Sequence, residues 1–211
     1  MISHALTIVI NELNKHLNAA YSVIPGSDTS QAQLGNLAEG FGTGGISRKD
    51  IYFSVVNIKE EKTLKNLPNY VRNDVTLKAL YENPPVFLNF QILVTAPHET
   101  YSLGLSLLSR VIRFFQYKNV FTQDNVSPDS ITTNQPASSI DQLDAFKLIF
   151  DLYSASMEEV NHLWGTLGGK QYPFVIYWVR MLDLKFKAIP EESSLISEVI
   201  TDFSHKPSSS I

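Results

Sequence analysis

A chain of 211 residues, 44% of them apolar and none of them cysteine, is long enough to bury one sizeable core and excludes disulfides, thiolate nucleophiles and Cys-ligated zinc or iron–sulfur sites. With 18% charged residues and a net charge of −4, it has no cationic excess for nucleic-acid phosphates or an anionic membrane surface. Proteins are therefore the expected partners, with no nucleic acid and no membrane insertion. Met1–Tyr21 lacks the basic start and continuous apolar run of a signal peptide, and no run of about 18 apolar residues occurs, so the chain reads as soluble, unprocessed and at home in a reducing cytoplasm.

Leu6, Val9, Ile10, Leu13, Leu17 and Ala20 recur at helical spacing and predict a first helix. Pro25 to Ser47 is rich in Gly, Ser, Thr and Gln and predicts a mobile surface loop. Ile51 to Ile58, β-branched and aromatic, predicts a strand running into the charged turn Lys59-Glu60-Glu61-Lys62. After a polar stretch, Pro84 and Pro85 forbid helix, and Leu88, Phe90, Ile92 and Val94 alternate with polar residues as a second strand. From Glu99 the pattern changes to Tyr101, Leu105, Leu108, Ile112 and Phe115, one stripe on a helix. Thr122 to Gln142 is a second low-complexity stretch, a candidate functional or disordered loop.

Phe146, Leu148, Phe150 and Leu152 alternate as a third strand, and the capping box Ser156-Met-Glu-Glu159 opens a helix carrying Val160, Leu163, Trp164 and Leu167, ended by Gly168 and Gly169. Phe174, Ile176, Trp178, Leu182, Leu184 and Phe186 share one face of a last long strand, interrupted by Arg180, and the core closes near Pro190. Each element has one apolar face, so the fold class is α/β, a mixed β-sheet of about four strands packed against helices. Residues 1–190 form one domain and 191–211 an extended C-terminal tail.

Enzyme chemistry finds little support. Glu12 with His16 and Glu159 with His162 share helical faces, but only one Glu-x-x-His segment exists where a dinuclear carboxylate site needs two. Gly40, Gly42 and Gly45 satisfy a dinucleotide spacing, yet polar residues precede them and a strand follows, the reverse of the required strand–turn–helix context. No serine sits in a Gly-x-Ser-x-Gly elbow; Ser106, after Gly104, lacks the second glycine. Asp141 with Asp144 and Glu191 with Glu192 lie in polar surroundings where nothing raises a carboxyl pKa. No catalytic, metal or cofactor site is expected.

Contact residues are better candidates. Arg180 on an apolar face needs a carboxylate or carbonyl partner, in its own chain or across a subunit interface. Trp164 and Trp178 read as core. Phe114 lies about 100° from the stripe that holds Phe115 and is the candidate exposed contact. In the tail, Leu195, Val199 and Phe203 fall on one side of an extended segment and Ile196 and Ile200 on the other, suited to a sheet edge of this chain or of a neighbour.

Four segments taken in order carry a family resemblance: Ser54-Val-Val-Asn57-Ile-Lys-Glu60-Glu61; Asn83-Pro84-Pro85-Val-Phe-Leu-Asn89; Phe114-Phe115-Gln116 with Val120-Phe121-Thr122; and Asn161 to Met181, with Leu163-Trp164, Gly168-Gly169-Lys170 and Pro173 weighing most. Together they resemble the cap proteins of extracellular contractile injection systems, relatives of the antifeeding prophage and the Photorhabdus virulence cassette particles. The resemblance implies a phage tail-terminator-like fold and a structural, non-enzymatic role. It implies partners too: the chain itself in a homohexameric ring, the terminal tube and sheath subunits that the ring stops, and a cap paralogue. Assembly would take place in the bacterial cytoplasm, in a particle that is released or membrane-anchored. Competing readings are a sheath, tube or baseplate component of the same machine, and a small nucleotide-binding enzyme.

Overall fold

The computed structural model describes residues 1–21, 30–40, 46–64, 68, 70–73, 78–81, 83–143, 145–184 and 191–194. In chain order these form α1 (Ile2–Tyr21), β1 (Ala32–Leu34), β2 (Ile51–Glu60), β3 (Tyr70–Asn73), β4 (Lys78–Tyr81), β5 (Val86–Thr95), α2 (Tyr101–Tyr117), β6 (Val120–Thr122), α3 (Pro128–Thr132), β7 (Lys147–Tyr153), α4 (Met157–Thr166), β8 (Phe174–Leu184) and β9 (Glu191–Ser194). The main sheet has six strands in the order β1-β2-β5-β8-β7-β6, and a second sheet has the order β3-β4-β9. The four expected strands are the central ones, β2, β5, β8 and β7, each antiparallel to its neighbour. The outer strands β1 and β6 are three residues each, too short for alternation to register. None of the helices among the described residues is long and apolar enough to cross a membrane.

Alternation sorts the sheet's side chains onto two faces. Phe53, Phe90, Ile92, Val94, Leu148, Phe150, Tyr177 and Val179 join Leu6, Val9, Leu13, Leu107 and Val111 of α1 and α2 in the principal core. Its centre is aromatic. Phe115 stacks on Phe150 at 4.7 Å and 13° and meets Tyr177 at 4.7 Å, contacts that add about 0.5–1.5 kcal/mol each beyond area burial. Burial pushes the Tyr177 hydroxyl up to about 12. On the other face, Tyr52, Leu93 and Ile176 form a smaller core with Leu37, Ile46 and Trp164, so Trp164 is core as expected.

Hydrogen bonds from α1 organise what the sequence read as loops. The Asn14 amide bonds Ala32 as a strand would, its Nδ2 donating to the carbonyl at 2.9 Å and its Oδ1 accepting from the N–H at 2.7 Å. This fixes β1 within the stretch expected to be a mobile loop. Residues 22–29 and 41–45 of that region, including Gly42 and Gly45, lie outside the described residues. The low-complexity stretch after Thr122 also folds, through α3. Asn11 Nδ2 donates to the Ser130 and Thr133 carbonyls, and buried His4 accepts from the Leu143 N–H at Nδ1 and so donates from Nε2 to Ile131 O at 3.0 Å. Short polar side chains on a helix thus replace the apolar periodicity that a sequence reading looks for.

Two facing assignments differ from expectation. In α2 the buried positions are Gly104, Leu107, Leu108, Val111, Phe114 and Phe115, whereas Tyr101, Leu105 and Ile112 of the expected stripe are exposed. Gly104 anchors the buried arc: a Cβ there would stand 2.8 Å from the Ala96 carbonyl oxygen, so α2 approaches the end of β5 only with glycine. In β8 a register shift opposite Leu88/Phe90 breaks the alternation. Val179 and Leu182 therefore both enter the principal core, while Arg180 points to the other face.

Candidate interaction surface

The acid–histidine pairs are consumed by structural bonds. Glu12 accepts from Lys118 Nζ at 2.7 Å, Ser130 Oγ at 2.7 Å and the Ser127 N–H at 2.9 Å. Burial pushes its carboxyl up, but these donors outweigh burial and hold it below the usual carboxylate range. His16 packs on Phe114. Glu12, Lys15, His16, Tyr117 and Lys118 line an open groove of about 630 Å³, where Glu12 pairs with Lys118 and Lys15 with Asp129 outside it. Glu159 closes the capping box through Oε2, which accepts from the Ser156 N–H, while Oε1 accepts from Tyr153 OH. The Tyr153 hydrogen bond, with help from Ser156, lowers its carboxyl pKa. His162 lies 3.8 Å from Glu158 instead. Among the described residues, no His, Asp and Glu side chains are grouped to hold a metal ion.

The open part of the sheet lies on the face opposite α1 and α2, beyond the cover of Trp164. Arg180 Nε meets Asp151 Oδ2 at 2.9 Å, with side chains 56% and 42% exposed. Asn57 Nδ2 donates to Gln91 Oε1 at 3.0 Å, and Asn89 Nδ2 to Glu61 Oε2 at 2.7 Å. Lys59 Nζ stands 5.4 Å from the centre of the Trp178 ring, which Tyr153 meets edge-on at 6.1 Å. This is a polar lattice across β2, β5, β8 and β7, open to a partner. Trp178, expected in the core, is half-buried within it.

The expected contact residues fall into three places. Phe114 is a correction: it is 3% exposed and packs on Phe115 and Phe121, because the buried arc of α2 is centred between Leu107 and Val111 rather than on Leu108 and Ile112. Arg180 has the carboxylate partner its position called for, on a solvent-facing rather than apolar surface. Leu195, Ile196, Val199, Ile200 and Phe203 lie outside the described residues. Just before them, β9 pairs antiparallel with β4 of the same chain.

The sequence reading missed the exposed apolar residues: Tyr101, Leu105 and Ile112 on α2, Leu152 on β7, and Val55 and Ile58 on β2. Their signal was present in α2 as an apolar arc about half the helix wide, more than one core can cover.

The family model for the Pvc16 N-terminal domain matches residues 5–198, from the first turn of α1 past β9. The chain belongs to that family. No curated protein matches it. Its fold is similar to that of the PVC sheath/tube terminator of an extracellular contractile injection system, in the extended state, with a TM-score of 0.52 and 11% identity over 95% of this chain and 64% of that one. It is similar also to the anti-feeding prophage cap, a tube terminating cap, with a TM-score of 0.51 and 16% identity over 92% of this chain and 60% of that one. This Pvc16 N-terminal domain spans less than two thirds of either structure's chain. At that identity the likeness establishes the α/β tail-terminator-like fold.

Proposed function

We propose that this chain is a structural cap subunit, a tail terminator that ends and closes the inner tube and sheath of a phage-tail-like contractile injection system. The carrying observation is the Pvc16 N-terminal domain match across residues 5–198. The two similar structures, a sheath/tube terminator and a tube terminating cap, support it. In this reading copies form a ring, a hexamer, seated on the last tube and sheath subunits, with a cap paralogue as a further partner. The ring occupies the surface on which the next subunits would polymerise. The work is steric and needs no catalyst, which suits a molecule whose described acid–histidine pairs hold helices and caps in place. The particle is assembled in the cytoplasm and acts outside it.

Deleting the chain tests this. Electron microscopy is expected to show tubes or sheaths of uncontrolled length with open ends. A normal length distribution with closed ends in the deletion strain would remove the assigned function.

A further inference from the structure

The main sheet ends in two steps. β1 pairs with β2 over Ile51–Phe53, and β6 with β7 over Lys147–Ile149. Across the sheet Tyr52 is level with Thr95 and Phe174, while Glu60 is level with Leu88 and Leu182. Tyr153, opposite Ile176, lies near the Tyr52 end. β1 therefore covers one end of its edge and β6 covers the opposite end of the other edge. Among the described residues, no strand pairs with β2 beyond Phe53, and the outer side of β7 receives a last hydrogen bond at Phe150, whose N–H donates to Asn119 O. Among the described residues, Val55–Lys59 and Asp151–Tyr153 are left as bare half-edges.

The two half-edges match face by face. Toward α1 and α2, one presents Val55 and Ile58, 50% exposed, and the other presents Leu152, 58% exposed, on the side where α2 carries its uncovered Tyr101, Leu105 and Ile112. Toward the polar lattice, one presents Asn57 and Lys59 and the other Asp151, so opposite charges would meet. Three successive antiparallel pairings, β2–β5, β5–β8 and β8–β7, make β2 and β7 antiparallel to each other.

We propose that copies of this chain join edge to edge, Asp151–Tyr153 of one copy pairing antiparallel with Val55–Lys59 of the next. The proposal rests on the reading of the chain as a ring-forming cap and names the contact that makes the ring. The occupant is a second copy because this chain's own opposite edge supplies the strand direction, the apolar residues for Leu152 and, in Lys59, a second cation beside the Asp151–Arg180 pair. Each half-edge meets a different one, so the contact is heterologous and builds a ring when the rotation closes. β6 of one copy and β1 of the next sit in the two steps. The bulge between Val55 and Asn57 and the charge of Lys59 discourage indiscriminate edge pairing.

The chain contains no cysteine, so introduced thiols report contacts without background. Leu152→Cys combined with Ile58→Cys, mildly oxidised and run on a non-reducing gel, is expected to give a ladder of covalent oligomers, with each single variant remaining a covalent monomer. A dimer from Leu152→Cys alone would mean that like edges meet and would overturn the proposal. So would the absence of a ladder both from that pair and from Leu152→Cys with Val55→Cys. Leu152→Lys changes an exposed side chain; thermal melting is expected to stay unchanged while self-association, measured by analytical ultracentrifugation, weakens roughly tenfold. Unaltered self-association overturns the proposal as well. Closed rings by electron microscopy without a ladder would end the edge pairing and leave the cap reading standing. A ladder from a chain whose deletion leaves particle lengths normal would do the reverse.

Discussion

The two faces of the six-stranded sheet are built from the same strands and finish differently. Toward α1 and α2 the strands contribute Phe53, Phe90, Ile92, Phe150, Tyr177 and Val179, nearly all sealed from solvent. Toward α4, among the described residues, the end holding Tyr52, Leu93 and Ile176 is the part that is covered, and the rest is a lattice of Asn57, Gln91, Lys59, Trp178, Asp151 and Arg180. One face stores stability, while the other and the sheet's bare half-edges keep surface available. The proposed ring-forming subunit would need both.

The largest expected effect lies on the sealed face. Phe115→Ala removes the ring that contacts Phe150, Tyr177, Phe121 and Phe53 and is expected to cost about 3–5 kcal/mol in denaturant unfolding. A loss below about 1 kcal/mol would mean that the core is not centred there. Glu12→Gln comes next, at about 2 kcal/mol near neutral pH, because it weakens charge-assisted bonds from Lys118, Ser130 and Ser127. Its pH dependence sharpens the test. The native carboxyl is lowered, so its stabilisation is fully present above the ordinary Glu pKa of about 4.3 and is lost as pH falls through the lowered native value. Melting curves of wild type and variant should converge in acid, and a constant gap would show that Glu12 is not the titrating group.

Asn14→Ala is expected to cost about 1 kcal/mol and to speed hydrogen exchange at Ala32, since that amide N–H has the Asn14 oxygen as its acceptor. Unchanged protection would show that β1 stands without α1. Arg180→Ala tests the open face. Its pair with Asp151 is largely solvated and is expected to contribute under about 1 kcal/mol, screened by salt. A larger, salt-independent loss of monomer stability would make this a second core and break the comparison between the faces.

Much of the domain was legible in the residues. The four central strands, three long helices and the capping box at Ser156 and Glu159 announce themselves through periodicity and capping chemistry, which act over a few residues of chain. The family resemblance rested on segments that now form β2, β5, the α2–β6 corner and the run from α4 through β8. The contact set of α1 with β1 and the folding of the stretch after Thr122 were not legible. They depend on Asn11, Asn14, Glu12 and His4 reaching residues far along the chain, and a polar side chain does not advertise its partner.

Sequence by itself determined where the four central strands and the three long helices form, because helical and extended periodicities are local properties of the backbone. It also determined that α2 is apolar over half its circumference. Only the tertiary structure decided which part of that arc is covered. Gly104 brings α2 onto the Ala96 carbonyl and turns Phe114 inward with Phe115, leaving Tyr101, Leu105 and Ile112 outside. The register shift opposite Leu88/Phe90 likewise turned Leu182 into the principal core, while Arg180 stays with Trp178 on the open face. Both choices come from close approach between elements distant in sequence, which fixes rotation and register where periodicity leaves them free.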